Sequence, residues 1–206
     1  MVKVKICGLT NVEDALAAAD FGADALGFVF FAGSPRYIAP EKAAGIISRL
    51  PAFITTVGVF VNEAADRLKH ICETSGIDVA QFHGDEPPEA CSVCPRAIKA
   101  FRIKDFTDLN LLGLYRTSAL LLDAYAPDSY GGTGQIFNWD IAVEAKRFGN
   151  IILSGGLNPD NIEKAVKWVM PYAVDVSSGV EASKGKKDLK KMRAFIERAK
   201  RAALKL

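Results

Sequence analysis

The chain has 206 residues, half of them hydrophobic, enough for one sizeable core and little for two, so a single catalytic domain spanning 1–206 is expected. Charged residues make up 24 % and the formal net charge is +2, which gives no electrostatic footprint for nucleic acid or an acidic membrane surface. No apolar run approaches the roughly 20 residues of a membrane span, no signal segment precedes VKVKI, and four cysteines make no disulfide scaffold, so a reduced, cytoplasmic protein is expected.

Short apolar, β-branched runs recur along the whole chain, at 2–7, 25–31, 53–61, 79–82, 97–101, 119–122, 151–153 and 173–176. Helical patterns separate most of them. Thr10-Asn11-Val12-Glu13 reads as a capping box before ALAAADFG. Pro40 opens EKAAGIISRL, and a helical pattern covers 63–75. Pro-Pro-Glu-Ala at 87–90 reads as another helix start. The stretch 102–118 leaves little room for a full helix, so a reduced one is expected there. Asn158-Pro159 opens DNIEKAVKWV, and the basic tail, 184–206, reads as an amphipathic helix with a solvated face. Gly22 and Gly76 each follow a helix and precede an Asp and a strand, as left-handed caps do.

Alternating strands and helices mean a parallel sheet. Eight strands fit a compact (β/α)8 TIM barrel, with one helix reduced between strands 5 and 6. An open doubly wound sheet is the alternative, but CGLTN lacks the GxGxxG spacing that would favour it.

In a barrel the active site lies at the C-terminal ends of the strands. The strand exits hold Cys7, Arg36 in FAGSPRY, Gln81 and His83 in AQFHGDE, Asp123 in LLLDAY, Ser154-Gly155-Gly156, and Asp175 with Ser177-Ser178-Gly179. The strand interiors are bland by comparison. Small-residue loops after the last two strands, at Gly155, Gly156 and at Ser177, Ser178, Gly179, suit a phosphate site; the alternative is a pair of tight turns. Residues two apart on a strand share a face, so Cys7 and Lys5 share one, as do Asp175 and Ser177. If Cys7, Asp123 and Asp175 point inward, Lys5 is buried below the thiol and needs an anionic partner, with Asp175 available. Its charge would then lower the thiol pKa. The alternative places Lys5 outward at the bottom rim.

His70, Cys72, Cys91 and Cys94 spell HxC…CxxC, a zinc-like set. His70 and Cys72, two apart on a helix, point to different sides, so ordinary helix cysteines are expected and no metal. No pattern calls for a nicotinamide, flavin or pyridoxal group, and no cofactor is expected. A thiol and a carboxylate without a cofactor suit proton transfer. A Cys7–His83 acyl-transfer pair is conceivable but fits a phosphate grip less well.

KICGLTNVEDA, GFVFFAGSPRYI, VGVFVN, QFHGDE, LLLDA followed by YGGTGQIFNW, ILSGGLNPDN and AVDVSSGVEASKGKKD resemble, in order from Val2 to about Asp188, the phosphoribosylanthranilate isomerase family. The resemblance implies a (β/α)8 barrel that performs a cofactor-free Amadori rearrangement in tryptophan biosynthesis. It implies Cys7 as general base and Asp123 as general acid. Arg36 would meet the anthranilate moiety, Gln81, His83 and Asp175 would contact substrate, and the two small-residue loops would hold its phosphate. The implied partner is a small phosphorylated molecule, bound by a monomer or a homodimer. Ala124 and Asn138 depart from the family pattern, which usually has a hydroxyl residue and Asp there. The rivals are a sister isomerase of histidine biosynthesis, expected to use two Asp, and a non-catalytic phosphate-binding barrel.

Overall fold

The computed structural model of the chain describes residues 1–124 and 137–204, so the GGTG loop at 131–134 lies outside the described residues. Eight parallel strands close into a barrel in sequence order. They are β1 (Lys3–Ile6), β2 (Ala25–Val29), β3 (Thr55–Phe60), β4 (Val79–Phe82), β5 (Ala97–Ile103), β6 (Ala119–Ala124), β7 (Ile151–Leu153) and β8 (Ala173–Val176). β8 pairs with β1 in register Lys5↔Asp175, which closes the ring and rules out the open sheet. Helices α1 (Val12–Asp20), α2 (Pro40–Ile47), α3 (Ala65–Ser75), α4 (Pro88–Cys91), α5 (Trp139–Ala145), α6 (Ile162–Val169) and α7 (Leu189–Ala203) cover the outside.

The two faces of each strand feed two cores. Val57, Val79, Ile98, Ala100, Ala119, Leu121, Ile152 and Ala173 point into the barrel. Alternate residues such as Leu120, Leu122, Leu153 and Val174 pack outward under the helices. Cys7, Val29 and Val59, with Phe31 against them, form a layer at the mouth. This period-two division leaves the strands apolar on both faces, as a helix-covered parallel sheet requires.

Two helices are reduced. Between β5 and β6 the connection is a 3-10 helix, Phe106–Leu114, started by a capping box in which Asp105 and Asp108 exchange contacts. α4 is only one turn long, since Pro95 follows closely and disfavours helix in the residue before it. Two helix starts differ from expectation. α1 is capped by Asn11, whose side chain accepts from Asp14 N–H; Thr10 instead donates to the Gly185 carbonyl. α6 begins three residues after Asn158-Pro159. Asn158 Oδ1 accepts from Asp160 and Asn161 N–H in a separate turn, an alternative that Asn offers the backbone. After β8 a 3-10 turn, Ser178–Val180, leads into a small antiparallel hairpin of β9 (Glu181–Ser183) and β10 (Lys186–Lys187).

Candidate active site

A cavity of about 390 Å3 opens at the C-terminal mouth. Its lining includes Cys7, Arg36, Gln81, His83, Asp123, Asp175, Gly155, Gly156, Ser177, Ser178 and Gly179, so residues scattered over the strand exits meet in one place. Ser154 joins them. The apolar wall comprises Val29, Phe31, Val59, Val61, Leu157 and Val176. The inward parity of Val57 and Val59 on β3 signals part of this wall, and Val61 follows just past the strand.

Cys7 follows β1 directly and is 7 % exposed. Lys5, one layer below, points inward, not to the rim. Its Nζ bonds Asp175 Oδ1 at 2.9 Å, with both side chains nearly fully buried. Ser154 Oγ reaches Asp175 Oδ2 at 3.4 Å. Gly27 makes this possible, since a Cβ there would lie 2.7 Å from Cys7 Sγ and 3.1 Å from Lys5 Nζ. Burial pushes the Cys7 thiol pKa up, and Lys5 opposes it without overcoming it, so the thiol lies above its ordinary value. The sequence-based expectation of a lowered pKa fails because desolvation outweighs the lysine's field. Burial also works against the Lys5 ammonium, but Asp175 and Cys7 more than compensate and hold it charged.

Asp123 stands at the end of β6 and accepts from the Ala124 N–H at 2.9 Å. This contact uses the backbone, so an alanine at 124 serves it. His83 Nε2 lies 3.5 Å from Asp123 Oδ2, beyond direct hydrogen bonding. Gln81 Nε2 approaches His83 Nδ1 at 3.0 Å. With the amide donating there, the ring proton sits on Nε2 and faces the carboxylate. A buried staple holds the loop after His83: Glu86 accepts from Asn62 N–H, Gly84 N–H and Lys99 Nζ. Asn138 caps α5 by accepting from Asp140 N–H.

The two glycine-bearing loops touch each other. Gly155 and Gly156 have φ of +78° and +65°, the left-handed region that glycine favours. A side chain on Gly155 would meet Ala124 N at 2.5 Å and Asp123 Oδ1 at 3.0 Å, and one on Gly179 would run into the Leu157 carbonyl. Glycine is therefore required at both positions by close approach, beyond any demand of a turn.

Arg36 lies across the Cys7–Gly8 turn. Gly8 has φ +74°, and a Cβ there would be 2.5 Å from Arg36 Cδ. The zinc-like set is not assembled. His70 is exposed on α3, Cys91 is in the core, and Cys72 and Cys94 pack partly against it. The described residues contain no group of three or more His, Cys, Asp or Glu placed to hold a metal ion. No helix among them is long and apolar enough to cross a membrane.

A closed eight-stranded parallel barrel with its titratable side chains gathered around one C-terminal cavity is the form of a (β/α)8-barrel enzyme. Residues 4–198 match the family model of N-(5'-phosphoribosyl)anthranilate isomerase. The chain belongs to that family, the isomerases of this name in tryptophan biosynthesis. It is 58 % identical over 201 residues to the enzyme of Geobacter metallireducens, covering 97 % of this chain and all of that one. It is similar in structure to the Thermotoga maritima enzyme, with a TM-score of 0.92 and 43 % identity, covering 97 % of this chain and 99 % of that one. A further phosphoribosyl anthranilate isomerase structure, in complex with reduced 1-(o-carboxyphenylamino)-1-deoxyribulose 5-phosphate, matches with a TM-score of 0.88 and 43 % identity over the same shares.

Proposed function

We propose that this chain, acting as one catalytic domain in the cytoplasm, converts N-(5-phosphoribosyl)anthranilate to 1-(2-carboxyphenylamino)-1-deoxyribulose 5-phosphate with Cys7 as general base and Asp123 as general acid. The observation that carries the reading is the placement of both groups on one cavity whose rim is made by the contacting glycine loops. The Asp123 proton goes to the furanose ring oxygen as the C1'–O bond breaks, leaving a protonated Schiff base. The anthranilate nitrogen supplies the electron pair for that opening. Cys7, as thiolate, then takes the proton from C2', and the C–H electrons form the enolamine. Tautomerisation of the enolamine gives the ketone. Arg36 meets the anthranilate carboxylate, Gln81, His83 and Asp175 contact the sugar, and Gly155, Gly156, Ser177, Ser178 and Gly179 hold the phosphate.

The raised thiol pKa fixes the pH dependence. The base is active only when deprotonated, so activity should climb with pH above neutrality until the thiol is titrated. Loss of phosphoribosylanthranilate fluorescence tests the reading. Wild-type protein should consume the substrate. Cys7→Ser should stay folded, with kcat lowered about 10³-fold or more and KM little changed, as for loss of a general base. Full activity in Cys7→Ser would make the thiol a bystander, and loss of fold would make it a packing group.

A further inference from the structure

We infer that Glu181 is the positioning residue for Arg36, so that the carboxylate after the phosphate loop sets how the guanidinium meets the substrate. This rests on the assignment of Arg36 to substrate binding. Glu181 Oε1 accepts from Arg36 Nε and Oε2 from Nη2, both at 2.8 Å, a two-pronged contact that fixes the plane of the guanidinium. Arg36 is 11 % and Glu181 6 % exposed in their side chains. Arg36 lines the cavity and Glu181 does not, so the carboxylate acts from behind the arginine.

Glu181 is itself held. Oε1 also accepts from Lys187 Nζ at 3.1 Å and Gly185 N–H at 3.3 Å. Lys187 Nζ in turn donates to the carbonyl of Ser177 in the phosphate loop. Lys187 N–H donates to Asp14 on α1. Burial pushes the Glu181 carboxyl upward, but Arg36 and Lys187 outweigh it and keep its pKa below the ordinary range. One buried carboxylate thus ties Arg36 to the hairpin that carries the end of the phosphate loop. The Nε–Nη2 edge of the guanidinium is taken, and Nη1 with the second Nη2 hydrogen remains for the substrate.

Charge and geometry predict opposite results for Glu181→Gln. Removing a negative charge beside Arg36 and Lys187 makes the cavity more positive, which by itself would tighten binding of an anionic substrate. Losing the fixed plane weakens it. KM should rise about 10-fold with kcat within about 3-fold of wild type, since one lost charge-assisted contact is of that order. Glu181→Asp, a methylene shorter, should raise KM too, and in an Arg36→Ala background Glu181→Gln should add little. The same Glu181→Gln comparison made on Lys187→Met protein, where no buried ammonium is left unpaired, covers the case in which the single variant fails to fold. A KM that is unchanged or lower in Glu181→Gln, or an equal rise with Arg36 already gone, overturns the inference. An unchanged KM in Arg36→Ala alone instead overturns the assignment of Arg36 to substrate.

Discussion

Lys5→Met removes one charge from beneath the thiol and keeps most of the side-chain length. Cys7 Sγ and Lys5 Nζ lie 2.7 and 3.1 Å from the point where a Cβ on Gly27 would stand, hence within about 6 Å of each other. At an effective dielectric constant of about 20, opposite unit charges at that separation attract by about 3 kcal/mol. That makes the thiolate about 100-fold less favoured once the ammonium is gone. The Cys7 pKa, already raised by burial, should therefore rise further, and kcat at neutral pH should fall by up to about 100-fold. The loss should shrink as pH is raised, because the thiolate is recovered. Asp175 would also be left buried beside an uncharged neighbour, at a cost of about 3–5 kcal/mol of stability that Asp175→Asn should partly restore. The assay pairs the pH dependence of Cys7 alkylation by iodoacetamide with the kcat–pH profile, both after urea denaturation has shown a folded protein. An unmoved alkylation midpoint, or a kcat lowered equally at every pH, would refute the reasoning.

Asp123→Asn should bind substrate and lose about 10²–10⁴-fold in kcat, the usual effect of removing a general acid; near-normal turnover would take that role from Asp123. Gly179→Ala pushes a Cβ into the Leu157 carbonyl, and strain of about 1–3 kcal/mol in the loop should raise both KM and the inhibition constant of inorganic phosphate by about 10-fold or more. Equal phosphate inhibition in mutant and wild type would show that this loop does not hold the phosphate. Cys91→Ser with Cys94→Ser should lower Tm, because Cys91 is buried in the core, while kcat and KM stay as they were. Elemental analysis of the wild-type protein should find no stoichiometric zinc, and tightly bound metal would revive the zinc reading.

The barrel was legible because period-two patterning and turn chemistry agree along the chain. β4, β7 and β8 coincide with the apolar runs, and parity correctly sent Lys5 inward to Asp175. What escaped is what depends on the third dimension. The hairpin at 181–187 was invisible, because GVEASKGKKD has no apolar alternation to mark a strand. The burial of Lys187 and Lys99 escaped as well, since a lysine reads as solvated until a carboxylate is shown beside it. Glu181 offered one signal, its position two residues past the phosphate loop, but its partner Arg36 is 145 residues away. The thiol pKa went astray because sequence supplies the neighbouring charge and hides the degree of burial.

The ion pair between Lys5 and Asp175 joins residues 170 positions apart. During synthesis the first strand leaves the ribosome with its lysine in water, and the matching carboxylate arrives only with the eighth. Until then no strand edge is available for β1 on that side, and Lys5 has no reason to turn inward beneath Cys7. The proposed base is thus the first functional residue to be made, yet it waits for the eighth strand to acquire its surroundings. A nascent chain interrupted before β8 should carry an ordinary, solvent-reactive thiol, and ring closure should make it chemically quiet.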